Sequence, residues 1–171
     1  MKTKICLFVF VSLSLVMNSF AAAQCQHHQQ MHSKTRADGV NERGDHAMGF
    51  SHEKATHHFA LTSNGGVIEV TANDATDETS LGQIRSHLSH IAKMFKEGDF
   101  NTPMLVHGEM PPGVETMRAS RATIDYKFEK VERGGRVNIA ATSESEIAAI
   151  HEFLRYQIKD HQTGDSLEVR K

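Results

Sequence analysis

Histidine is the residue type in this chain with the most chemistry to offer, and there are twelve of them. Imidazole is a common metal ligand and the only side chain whose unperturbed pKa lies near neutrality. The densest donor group is Cys25-Gln26-His27-His28-Gln29-Gln30-Met31-His32, which collects a thiol, three imidazoles and a thioether in eight residues. Sulfur donors with imidazole suit copper(I) or zinc, and imidazoles alone suit copper(II), nickel or zinc. The competing reading is a solvated linker with incidental histidines; His46 and His52 continue the same character.

A second population lies where the chain is patterned to fold. His57 and His58 are consecutive on a predicted strand, so one must face the core and the other solvent. His87 and His90 have the i, i+3 spacing of a chelating pair on a helix, but lack the intervening glutamate of a metalloprotease helix. At about 100° per residue, His151 and His161 fall within the apolar sector of another helix, whereas His87 borders its own and His90 turns outward. A cluster of His87, His151, His161 and one of His57 and His58 is the expected core site for a metal or haem. Against it stands the ordinary role of such a histidine, hydrogen-bonded to a backbone carbonyl at a core edge. His107 and Glu109, beside Pro111-Pro112-Gly113, are the candidate acid/base pair, with a plain polar turn as the alternative. No G-x-S-x-G elbow, P-loop, G-x-G-x-x-G or C-x-x-C occurs.

These side chains must be positioned by elements, and the elements recur in one order. Thr56 to Thr62 reads as a strand, Asn64-Gly65-Gly66 as a turn and Val67 to Ala72 as a second strand. A helix follows from Ser80 to Lys96, stopped by Gly98, with Ile84, Leu88, Ile91 and Phe95 on one stripe. Thr123 to Val131, Gly134-Gly135 and Arg136 to Ala141 repeat the strand-turn-strand order. Ser143 with Glu146 then has the capping-box spacing for a helix to His161, closed by Gly164. The expected architecture is α+β: a duplicated β-β-α unit forming a four-stranded, largely antiparallel sheet with two helices on one face. A further strand is expected at Met104 to His107.

The N-terminus bounds the compartment. Lys2 and Lys4 precede an apolar run from Ile5 to Val16, and Ala21-Ala22-Ala23 offers small residues for cleavage. Residues 1–23 therefore read as a signal peptide, giving a periplasmic or secreted protein. The run is too short for a comfortable span, so no membrane span is expected in the mature chain. Lipidation at Cys25 is the alternative. Residues 24–47 are polar enough to be read as a disordered His/Gln-rich tail, and 48–171 as a single domain. Without Lys2 and Lys4, 17 Lys+Arg face 21 Asp+Glu, which gives no footprint for nucleic acid. Cys25 alone cannot form an internal disulfide.

Met48-Gly49-Phe50, Thr56-His57-His58-Phe59, Ile84-Arg85-x-His87-Leu88-x-His90-Ile91-Ala92, Pro111-Pro112-Gly113 and His151-x-Phe153-Leu154-Arg155-x-Gln157-Ile158-x-Asp160-His161-x-Thr163-Gly164-Asp165 resemble a group of small exported bacterial proteins of unknown function. The resemblance implies export and no particular reaction. Two classes of function follow from the residues: a binding protein holding copper, zinc, haem or a small ligand through histidines, or a small enzyme using His/Glu acid-base chemistry. A ligand-free interaction domain is the third, and an open sheet edge would permit a homodimer.

Overall fold

The computed structural model describes residues 38–170. Their order is α1 (38–48), a 3-10 turn (His52–Lys54), β1 (Ala55–Thr62), β2 (Gly65–Ala72) and α2 (Glu78–Glu97). There follow α3 (Asn101–His107), α4 (Val114–Ala119), β3 (Asp125–Val131), β4 (Gly134–Ala140), α5 (Glu144–Asp160) and β5 (Val169–Arg170). The fold is α+β, with a mixed five-stranded open sheet ordered β3-β4-β2-β1-β5. Four strands are antiparallel to their neighbours as expected; β5 adds a fifth, parallel to β1 at Leu61↔Val169.

Alternation decides which sheet face is covered. Ala55, Phe59 and Leu61 of β1, Ile68, Val70 and Ala72 of β2, and Val137 and Ile139 of β4 are buried toward the helices. The other face carries His58, Glu69, Lys127, Glu129 and Arg136, with Arg136 and Glu69 opposite each other in register and paired at 2.7 Å. α2 and α5 close the core with Leu81, Ile84, Leu88, Ile91 and Phe95 on one side and Ile150, Phe153, Leu154 and Ile158 on the other. Phe95, Phe100 and Phe153 meet at the centre, with ring centroids 4.4 to 6.2 Å apart.

The glycines serve a purpose different from the one their spacing suggests. The turns are Ser63-Asn64 and Glu132-Arg133, since Thr62 pairs with Gly65 and Val131 with Gly134. Gly65, Gly66, Gly134 and Gly135 are the opening residues of β2 and β4. A Cβ on Gly66 would run into Leu154 and lie 2.6 Å from the Ala60 carbonyl oxygen, and one on Gly135 would lie 2.7 Å from Phe128. They are gaps into which neighbouring residues pack.

Three further expectations are corrected. Met104 to His107 is the end of α3, not a strand. The residues from 38 onward belong to the folded unit: α1 is helical, and Val40 is only 1 % exposed. Ser143 does begin α5, but it makes no side-chain cap, and Glu146 turns inward to accept from the Thr123 hydroxyl at 2.6 Å. Among the described residues no helix is long and apolar enough to cross a membrane. The expected signal peptide and the donor-rich stretch Cys25, His27, His28, Met31 and His32 lie outside the described residues.

Candidate functional site

The strand pair His57-His58 divides as its alternation requires. His57 points to the helices. His58 points to the opposite face, where its Nδ1 lies 3.1 Å from an Asp165 carboxylate that also accepts the Phe59 amide at 2.9 Å. From α2, His87 leans over the same region as His57, with Phe50 bridging them: its ring centroid is 6.4 Å from that of His57 and 5.7 Å from that of His87. His161, the cap residue of α5, lies parallel to His57 at 5.7 Å and an interplanar angle of 5°. His107, at the end of α3, meets His161 edge-on at 5.0 Å. Four imidazoles from four elements therefore gather in one place.

They line a cavity of about 70 Å³ between the helix-facing side of β1 and β2 and the helices α2, α3 and α5. Phe59, Ile68, Val70, Leu88, Phe95 and Phe153 form its apolar walls. Its polar positions are His57, His87, His107, His161, Thr102 and Gln157; no Lys, Arg, Asp or Glu lines it. The Gln157 amide nitrogen is buried with no hydrogen-bond partner among the described residues.

The four imidazoles are in two different chemical situations. His107 is 4 % exposed and engaged at both nitrogens: Nδ1 donates to Asp160 Oδ2 at 2.6 Å, and Nε2 lies 2.9 Å from Gln157 Oε1. His57, His87 and His161 are half-buried, with rings crowded by protein and no hydrogen bond contributing to their ionisation. Burial pulls the pKa of His57 and of His87 from 6.5 down to about 4, and that of His161 down to about 3, because charging an imidazole in apolar surroundings forfeits its hydration. Each other's proximity adds to the effect: His87 and His58 act on His57, and His57 and His107 on His161. At neutral pH these three rings are uncharged.

The remaining candidates are placed elsewhere. His151 Nε2 donates to the carbonyls of Thr62 and Gly65 at 2.9 and 3.0 Å, fastening α5 to the β1–β2 turn. The expected convergence of His151 with His87 and His161 does not occur. His90 is on the exposed face of α2. Glu109 accepts from the Tyr156 hydroxyl at 2.7 Å, and the two His107 nitrogens lie against Asp160 and Gln157. Among the described residues, no group of three or more His, Cys, Asp or Glu could hold a metal ion.

Gln157, Thr102 and the apolar wall were not among the sequence candidates. Gln157 carried a usable signal: it falls one helical turn before His161, on the same side of α5 as Leu154 and Ile158, where a polar side chain needs a reason to be. No protein-family model, curated protein or solved structure matches this chain.

Proposed function

We propose that this chain is an exported binding protein whose interior pocket takes a small, uncharged molecule with one hydrogen-bonding group. The observation that carries the reading is the trio His57, His87 and His161: three half-buried imidazoles, their pKa values lowered by burial, lining one cavity with apolar side chains of the sheet and helices. A ligand's hydroxyl, carbonyl or amide would meet hydrogen-bonding ring nitrogens beside an apolar wall, where such bonds are stronger than in water.

Size and charge narrow the class. A cavity of about 70 Å³ is roughly half the 150 Å³ in which an engineered apolar cavity binds benzene, so the part of a ligand held inside it is small. A porphyrin would require the walls to move apart. With no charged side chain in the lining, a charged ligand would lose its hydration and find no counter-ion.

Low basicity favours binding over acid-base catalysis. Proton transfer works best when the catalytic pKa lies near the working pH, and rings with pKa values of about 3 to 4 are poor bases at neutrality. Calorimetry with 1-propanol, propionate and propylammonium separates these possibilities. Saturable binding of the alcohol alone, weakened at least fivefold in Gln157→Leu, is expected; equal affinities for all three, or no binding of the alcohol, contradicts the reading.

The metal expectation is retained for the donor-rich stretch Cys25, His27, His28, Met31 and His32, on the strength of its spacing. Copper titration of untagged protein, with and without residues 24–37, tests it: the binding should go with the deleted segment. The repeated β-β-α order is read as a duplication, supported by the pairing of β2 with β4 about the central pair Ile68↔Val137. The open edge of β3 is the surface for a homodimer.

A further inference from the structure

The two β-β-α halves are joined crosswise, and the joins match one for one. From α5, His151 donates to the Thr62 and Gly65 carbonyls at the first hairpin turn. From α2, Arg85 donates to the Val131 and Gly134 carbonyls at the second. Leu154 packs over Gly66 and Leu88 over Gly135. The Ala141 amide donates to the Asn64 carbonyl at 2.9 Å, and the Ala72 amide to that of Arg133 at 2.7 Å. Each half's helix therefore covers the other half's hairpin, about a two-fold relation centred on Ile68↔Val137. In such a relation every contact between i and j has a partner in which the roles are exchanged.

The two-fold relation gives each of the three pocket imidazoles a counterpart. Counted from Gly65 and Gly134, His57 of β1 matches Tyr126 of β3. Counted from Leu88 and Leu154, His87 matches Phe153, and His161 matches Phe95. Ring positions agree with the count: His57 and His161 are 5.7 Å apart, and Tyr126 and Phe95 5.8 Å. The surroundings do not agree. Tyr126, Phe153 and Phe95 are only 6, 1 and 2 % exposed, with Phe95 packed against both of the others. His57, His87 and His161 are half-buried and line a cavity. At these three positions one half of the fold is filled and the other is hollow.

We infer that His57, His87 and His161 are a ligand site set into core positions where the fold itself accommodates packed aromatic rings, and that the site lowers the stability of the protein. A phenyl ring at each position would bury more apolar surface and make more close contacts than an imidazole. The filled half shows that this backbone accepts rings of that size at all three places. Packing alone gives no reason for three imidazoles at three matched positions, whereas a binding site commonly breaks local packing rules and gives up stability. The contrast with His151 is direct. Its counterpart Arg85 fastens the other hairpin turn in the same way, so both halves keep a hydrogen-bonding side chain there. The ligand takes the room that larger rings would fill, with its polar group among the imidazoles. What occupies the site rests on the reading of the cavity as a binding pocket; the difference in stability needs no ligand.

Urea denaturation of the whole protein at about pH 7.5, where histidine is largely neutral in the unfolded chain too, measures that difference. The triple variant His57→Phe/His87→Phe/His161→Phe should raise the midpoint by about 0.5 M or more. In calorimetry it should bind 1-propanol about tenfold more weakly or not at all. His151→Phe, at a position where both halves use a hydrogen-bonding side chain, should lower the midpoint. A folded triple variant with an unchanged or lowered midpoint overturns the inference, and so does a raised midpoint with alcohol binding intact. If the triple variant does not fold, the three single variants decide: raised midpoints in two or more support the inference, and fewer overturn it. A raised midpoint in the variant, with no 1-propanol binding by the wild-type protein, would remove the proposed function and leave the difference between the two halves standing.

Discussion

His107 and His151 share a side chain with the three pocket imidazoles and differ from them in having partners. His151 spends its N–H on two carbonyls of a hairpin turn, a net contribution of about 1 kcal/mol. His107 is fixed by a carboxylate that is itself largely buried, with side chains 1 % and 10 % exposed. His107→Ala should therefore cost about 3 kcal/mol in urea denaturation and His151→Ala about 1 kcal/mol, with His90→Ala within about 0.5 kcal/mol of wild type. Equal losses for all three would mean that these contacts do not distinguish them. Sequence spacing could place His57, His87 and His161 near one apolar sector, but not tell them from His151. Helical angle fixes where a side chain leaves its own helix. It does not say that a turn from another strand supplies two carbonyls at that point. The apolar run from Met104 suggests a strand ending at His107, yet these residues close a helix that Gly108 stops, with φ 70°. α3 thereby carries His107 into the core.

Periodicity made most of the elements legible, because apolar stripes and alternation are enforced by burial. The stripe Ile84, Leu88, Ile91, Phe95 is buried throughout, and so are Ile150, Leu154 and Ile158. What periodicity hid were short elements stabilised by their surroundings. α3 and α4 are of seven and six residues, too few to form by themselves, and β5 is two residues held by its pairing with β1. α1 looked like tail because a helix needs only one or two apolar anchors to dock, here Val40 and Met48. The paired glycines were read as turns because glycine is the usual turn residue; here the absence of a side chain matters more. Gly66→Ala tests that at the level of the hairpin. With Leu154 and the Ala60 carbonyl in the way, the variant should lose about 2 kcal/mol of stability. Gly82→Ala on the open face of α2, where a Cβ meets nothing, should gain up to about 1 kcal/mol. Chemical denaturation of the two side by side gives opposite signs if close approach is the reason for Gly66.

Across the whole molecule, the three pocket imidazoles set the acid limit of stability. Their native pKa values of about 4, 4 and 3 lie below the 6.5 of an unfolded histidine. The unfolded chain thus binds more protons than the native one between about pH 6.5 and pH 4. Stability from these groups is fully present above 6.5 and falls as pH drops through that window, at no more than about 1.4 kcal/mol per pH unit for each histidine. The half-buried rings and their coupling reduce that figure. Urea midpoints at pH 7.5, 6, 5 and 4.5 should decline most steeply below pH 6, and the decline should flatten in the His57→Phe/His161→Phe double variant. The same trio carries the functional reading. The measurement that tests it most directly is a long-range proton–nitrogen NMR spectrum of the histidine rings at pH 7, recorded with and without saturating 1-propanol. The account predicts neutral rings at His57, His87 and His161 whose nitrogen resonances move on addition of the alcohol, while those of His90 and His151 stay in place. Protonated rings at those three positions, or three neutral rings that do not respond to the alcohol, would contradict it.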